Sequence, residues 1–214
     1  MSNRQSPTIA SRKNPKQARS TELVTAILEA ATQVLAKEGA QRFTTARVAE
    51  KAGVSIGSLY QYFPNKAAIL FKLQSDEWQE TTDLLRGILE ETSKPPLKRL
   101  RTLVHSFIQS ECDEAEMRIA LNDAAPLYRD APETEKARSE SNKTIQTFMT
   151  EVLPKASKGT RLVACELIKT TLSTAGKDFS ERPRSPKQIK IFANAMADMF
   201  CAYLEKLQNN SHKA

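Results

Sequence analysis

The feature that most limits how this chain can fold is a short run, residues 44–66, in which small and turn-forming residues fall at fixed distances. Ala49 stands where two short helices would come closest, since a larger side chain there would push them apart. Gly53 follows four residues later, where a turn needs a positive φ that is easily reached without a Cβ. Val48, Ala52, Val54, Leu59 and Phe63 are spaced to share one small core. Thr44 or Thr45 can cap a helix running to Ala52, and the hydroxyls of Thr45 and Ser55 can satisfy orphan amides at the two helix starts. Pro64 ends the second of these helices. Two short helices joined by a three- to four-residue turn form a helix-turn-helix.

The rest of the chain reads as helix. Only six glycines occur in 214 residues, and apolar side chains recur at three- and four-residue steps. A first helix opens near Thr21, carries Leu23, Ile27, Ala30, Ala31, Val34 and Leu35, and stops at Gly39. A fourth starts at Asn65 with Ile69, Leu70, Leu73 and Trp78 along one side and fades near Ser93. After Pro95-Pro96 a fifth carries Leu97, Leu100, Val104, Phe107 and Ile108. A sixth covers Glu114 to Leu127. A seventh begins near Glu133 and turns Ile145, Phe148, Met149 and Val152 to one face. An eighth runs from about Thr160 to Ala175, the segment Asp178 to Pro186 is a loop, and the last spans roughly Pro186 to Leu207. The expected fold is all-α with about nine helices.

Charge divides the chain. Residues 1–66 hold ten Lys/Arg against four Asp/Glu, whereas the remainder holds 22 against 21. A basic module ahead of a balanced one fits a polyanion-binding head on a neutral body, although charge alone serves equally as a solubility bias. Cys112, Cys165 and Cys201 are odd in number and form no C-x-x-C pair, which opposes a disulfide framework or a structural zinc site. No run approaches the length of a membrane span, and the polar N-terminus lacks the apolar core of a signal peptide. The expectation is a cytoplasmic protein without cofactor or metal.

Within the helix-turn-helix, the recognition helix would be Ile56-Gly57-Ser58-Leu59-Tyr60-Gln61-Tyr62. With Leu59 inward, Ile56, Gly57, Ser58, Gln61 and Tyr62 are left for a DNA groove. Gln61 has the donor and acceptor pair that reads adenine, and Tyr60 or Tyr62 can donate to a phosphate oxygen. Lys66 combines a cation with a helix N-terminus, Thr44 and Thr45 stand at another, and Arg47 in the helix that follows them is a further candidate DNA contact. Each also has an ordinary use: the tyrosines as packing aromatics, the hydroxyls as caps, Arg47 and Lys51 as a solvated face. Arg12, Lys13, Lys16 and Arg19 read as part of a disordered basic arm over residues 1–19, with ordered minor-groove contacts as their alternative use.

The run from Thr44 through Lys66 resembles the DNA-binding signature of the TetR/AcrR family of bacterial regulators, a match covering about residues 20–70. The resemblance implies a three-helix DNA head at 20–66, an effector-binding and dimerisation domain at 67–208 and a polar tail at 209–214. It implies a homodimer on a palindromic operator in double-stranded DNA, with Thr45, Ser55, Gly57, Tyr60, Gln61, Tyr62 and Lys66 at the DNA. Most members repress transcription and leave DNA when a small molecule binds the body, the fourth helix linking the two. Pairing has a physical reason, since a single head offers few contacts and a two-fold places recognition helices about 34–36 Å apart on successive turns. On the last helix Ile191, Ala195, Met199 and Ala202 form one stripe, flanked by Phe192, Met196, Phe200, Tyr203 and Leu204. The last two helices are the candidate dimer interface, with this apolar surface as its marked part, and burial of the helix within the monomer is the alternative. An effector cavity would draw on Trp78, Phe107, Ile108, Met117, Leu121, Tyr128 and Phe148, which are equally ordinary core residues.

Catalysis has little to stand on. His105 and His212 are the only histidines, and no nucleophile elbow, zinc-protease, phosphate-loop or dinucleotide motif occurs. Asp113, Glu114 and Glu116 cluster at a helix start, where carboxylates match the helix dipole. A DNA-binding regulator without small-molecule control, or an activator, shares the head and stays open.

Overall fold

The computed structural model describes residues 9–12, 18–129 and 143–210, and among them every regular element is a helix. In chain order these are α1 (Ala18–Arg42), α2 (Thr45–Lys51), α3 (Ile56–Tyr62), α4 (Lys66–Leu89), α5 (Pro96–Asp113), α6 (Ala115–Ala124), α7 (described over 143–152), α8 (Lys158–Ser180) and α9 (Pro186–Asn210). A single 3-10 turn, Ala125–Leu127, follows α6. The expected start of the seventh helix near Glu133 lies outside the described residues. No helix is long and apolar enough to cross a membrane among the described residues.

Two compact units result, and they do not divide at residue 66 as the sequence led one to expect. The first is built from described residues within Met1–Gln79 and Glu116–Arg138, the second from those within Glu80–Ala115 and Ser139–Ala214. The head therefore includes the first turns of α4 and all but the first residue of α6. Its core explains why. Ile27, Ala30, Ala31, Val34 and Leu35 of α1 sit at helical spacing and are buried with Val48, Ala49, Leu59 and Phe63, with Ala67–Leu70 of α4, and with Ala120, Leu121 and Ala124 of α6. An apolar stripe shows that a helix must be covered but not by what. Glu77 of α4 and Arg118 of α6 add a half-buried ion pair at 3.1 Å.

Two local expectations in this unit change. Gly39 adopts φ 72°, ψ 170° but kinks α1 rather than ending it, and helix resumes to Arg42. The arm is not wholly disordered: Ile9 is buried (1 % exposed) in the head core, a placement worth roughly 1.5–3 kcal/mol for a side chain of this size. Lys13 and Lys16 lie outside the described residues.

In the second unit α5 packs against both α8 and α9. Leu100, Leu103, Val104, Phe107 and Ile108 of α5 share a core with Phe148 and Met149 of α7, Ile168 and Leu172 of α8, and Met196, Phe200 and Leu204 of α9. Gly176 lets α5 and α8 approach closely, since a Cβ there would stand 3.2 Å from Ile108 Cδ1 and 3.2 Å from Phe107 Cε1. α8 continues to Ser180, through residues expected to form the start of a loop, with Phe179 stacked on Phe192 of α9 and Ser180 buried.

Polar side chains tie the same helices together. Arg99 of α5 is buried and donates to the Leu89 carbonyl at the end of α4 and to Glu151 of α7, with its guanidinium 5.5 Å over the Phe148 ring. His105 and Asn194 pair at 3.0 Å between α5 and α9, and Gln208 Nε2 donates to the Val152 carbonyl at 2.8 Å.

Candidate nucleic-acid interface

The helix-turn-helix is assembled by its caps. Thr44, extended at φ −135°, ψ 149°, is the N-cap of α2, its Oγ1 accepting from the Arg47 amide at 3.3 Å. Of the two threonines proposed for this task, Thr44 is the one that caps. Ser55 caps α3, its Oγ accepting from the Ser58 amide at 3.0 Å and bonding the Ser58 hydroxyl at 2.8 Å. Between the two helices Gly53 takes φ 67°, and the amides of Gly53 and Val54 donate back to the carbonyls of Glu50 and Ala49. Leu59 is fully buried, which turns the opposite side of α3 outward.

Ser55, Ile56, Gly57, Tyr60 and Gln61 are exposed on that outward side, with Ser58 and Tyr62 partly covered. Ile56 and Tyr60 are among the large apolar side chains that the head leaves in solvent. The Tyr60 hydroxyl lies 3.0 Å from Thr45 Oγ1 in a hydrogen bond, so the start of α2 holds the tip of this tyrosine. A Cβ on Gly57 would meet only Ser55 Oγ, at 3.8 Å. Nothing inside the head requires glycine there. The arrangement presents an uncharged, hydrogen-bonding ridge of the size that enters a major groove.

The other predicted contacts are placed as follows. Arg47 is exposed but engaged, donating to the Glu38 carboxylate and, at 3.3 Å, to the Arg42 carbonyl. Its first role is therefore to tie α2 to the end of α1. Tyr62 packs partly against the head core. Lys66 is the first residue of α4, whose N-terminus is closed by Asn65 Oδ1 accepting from the Ala68 amide at 2.9 Å. The sequence reading missed the pairing of Thr45 with Tyr60, because the two residues are fifteen apart and no local pattern joins them.

The proposed effector residues do not come together in one core. Trp78, Met117, Leu121 and Tyr128 belong to the first unit, whereas Phe107, Ile108 and Phe148 belong to the second. Leu121 and Tyr128 are buried in the head, the Tyr128 hydroxyl 2.9 Å from the Leu121 carbonyl and 3.2 Å from Gln74 Oε1. Phe107 and Ile108 lie against Gly176. In the second unit an open depression of about 310 Å³ is lined by Val152, Leu153, Pro154, Lys155, Ala156, Gln208 and Asn209, and by none of the proposed residues.

The candidate dimer residues divide by face. Ile191, Ala195 and Met199 are exposed, as is Ala202, and they form an outward stripe on α9. Met196 and Phe200 turn inward and are buried, so they are core rather than surface. The helical repeat puts positions 196 and 200 beside the stripe but past its edge. Phe192 stacks on Phe179 of α8 with ring centroids 4.0 Å apart, and Tyr203 is half-covered. Leu162, Val163 and Leu167 form a second outward stripe on α8, the other of the two helices expected at the interface, although the sequence singled out no residue there. Burial pushes the thiols of Cys112, Cys165 and Cys201 above their ordinary value, which keeps them protonated.

Comparison with known proteins agrees with this geometry. Residues 27–73 match the model of bacterial regulatory proteins of the tetR family, and residues 95–207 match the tetracyclin repressor-like C-terminal domain. The nucleoid occlusion factor SlmA of Vibrio campbellii is 32% identical over 128 residues, 59% of this chain and 62% of that protein. The HTH-type transcriptional regulator TtgR of Pseudomonas putida is 40% identical over 79 residues, 36% of this chain and 37% of that one. These matches thus span less than two thirds of the relatives' length. Among solved structures, a TetR-family regulator from Mesorhizobium loti superposes with a TM-score of 0.68 at 17% identity, covering 87% of this chain and 98% of that one. The regulator FadR from Bacillus subtilis, solved in complex with stearoyl-CoA, gives 0.63 at 15% identity over 83% and 97%.

Proposed function

The chain belongs to the TetR family of bacterial regulatory proteins, and from that premise we propose that it is a homodimeric repressor released from a palindromic operator by a small molecule. The observation that carries the DNA half is the outward face of α3, where Gly57, Tyr60 and Gln61 stand clear of a head that holds them by caps and by Thr45. Gln61 reads a base edge, Gly57 allows the backbone to come close, and Tyr60 and Lys66 address phosphates. Thr44, Ser55, Ile56, Ser58 and Tyr62 frame the same ridge.

Dimerisation rests on the outward stripes of α8 and α9, which leave Val163 and Ile191 more than half exposed (63 % and 59 %). Large apolar side chains left exposed along a helix face are the kind of surface that a partner covers. Control by a small molecule rests on the family's second domain and on the stearoyl-CoA complex of the Bacillus FadR, which points to an apolar or acyl ligand class. Footprinting on DNA flanking the protein's own gene, with and without fatty acyl-CoA, tests the reading. Protection lost on adding ligand supports it, and protection unaffected by any ligand class removes the release step.

A second reading draws on the 128-residue match to a nucleoid occlusion factor, which is longer than the 47 residues matched by the DNA-head model. There the protein would act at the nucleoid as a DNA-bound factor that needs no small molecule. Footprints that no ligand class alters favour this second reading, and protection lost on adding ligand rules it out.

A further inference from the structure

Four residues upstream of α1 fasten the recognition helix in a way that the DNA reading does not use. Ile9 is buried among the apolar side chains of the head. Three residues later the Arg12 amide donates to the Tyr62 carbonyl at 2.8 Å, and its Nη1 donates to the Tyr60 carbonyl at 3.2 Å. Both carbonyls lie in the last turn of α3, where helix carbonyls have no partner within the helix. The Phe63 amide takes the Leu59 carbonyl at 3.0 Å, and Arg12 takes those of Tyr60 and Tyr62.

α3 needs outside support. It has seven residues, a glycine at its second position and no basic residue of its own in its last turn, whereas isolated helices shorter than about 12–15 residues are marginal in water. Arg12 brings two donors and a positive charge to the negative end of the helix dipole. Tyr60 is thereby held twice, its carbonyl by Arg12 and its hydroxyl by Thr45.

We propose that residues 9–12 clamp the C-terminal turn of α3, with Ile9 as the anchor and Arg12 as a positioning residue, so that DNA affinity depends on Arg12 without Arg12 touching DNA. The proposal rests on α3 being the DNA-reading helix. Ile9 limits how far Arg12 can stray, because three residues of chain reach at most about 11 Å. The competing role, a direct phosphate contact, has a different signature, since each phosphate neutralised adds about 0.9 to the slope of log affinity against log salt.

The test uses the full chain with Arg12→Ala, Arg12→Lys and Ile9→Ala. Amide exchange is followed without DNA, and binding is titrated at several salt concentrations on a duplex selected by the wild type from a randomised pool. Arg12 is exposed, so its replacement leaves the fold and the global unfolding midpoint in place. Arg12→Ala is expected to speed exchange of the α3 amides and weaken duplex binding, each roughly five- to tenfold, with the salt slope unchanged. Arg12→Lys recovers part of both, and Ile9→Ala gives the same pattern through a looser anchor. Unchanged α3 exchange, or a slope lowered by about one unit, overturns the clamp. If the wild type selects no duplex, the DNA reading fails, while the exchange data still decide whether the clamp exists.

Discussion

Gly57 stands at a helical position where the head makes no demand for glycine. It lies outside the left-handed region, which among the described glycines only Gly39 and Gly53 enter, and a methyl there would meet nothing closer than 3.8 Å. Gly57→Ala should therefore stabilise α3, by up to about 1 kcal/mol, while weakening operator binding because the methyl enters the space DNA would fill. Thermal unfolding and a duplex titration check both signs, and an affinity equal to wild type removes Gly57 from the contact surface. Arg99 is a different case, a buried cation whose acceptors are unequal. Leu89's carbonyl is buried with it, whereas the Glu151 side chain is 43% exposed and can hydrate. Arg99→Met should accordingly cost about 1–3 kcal/mol in denaturant unfolding, and Glu151→Gln no more than about 1 kcal/mol. Equal losses would mean that the ion pair, and not the carbonyl bond, is what matters. The buried, protonated Cys165 and Cys201 should react with iodoacetamide only on the timescale of unfolding, and rapid alkylation of the folded protein would place them at the surface.

Among the elements, the closest approach of α5 to α8 depends on Gly176. Gly176→Leu would push a branched side chain into Phe107, Ile108 and Glu111, with an expected loss of about 1–3 kcal/mol by overpacking. A neutral result would show that these two helices can separate freely. Helical elements were legible wherever apolar residues repeat over several turns, as in α1, α5 and α9. Their ends were less so. Gly39 looks like a stop, yet helix resumes after it, and the polar residues after Asp178 look like loop although α8 runs to Ser180 with Phe179 stacked on Phe192. Among the described residues of the polar arm Ile9 is a single apolar side chain buried in a core, and pattern reading needs more than one such residue. The motif at 44–66 was legible because its constraints are local, each cap and turn acting within four residues. Placing α6 in the head core, or Thr45 beside Tyr60, needs contacts between distant residues, which spacing does not encode.

At the scale of the whole molecule, α8 and α9 each present an outward apolar stripe. If those stripes pair two copies, Val163→Arg with Ile191→Arg should give a folded monomer in sedimentation at micromolar concentration, with helix content unchanged and operator binding reduced to that of one head. A persistent dimer would put the interface elsewhere. Members of the family are DNA-binding regulators. The central claim is that two copies of α3 read one symmetric site. Selecting duplexes from a randomised pool with the wild type and with Gln61→Ala tests it most directly. The expected product is a two-fold palindrome whose half-sites lie about 10 base pairs apart, with preference lost in Gln61→Ala at one matching position in each half. Recovery of no common site, or of an asymmetric one that Gln61→Ala selects equally well, would contradict it.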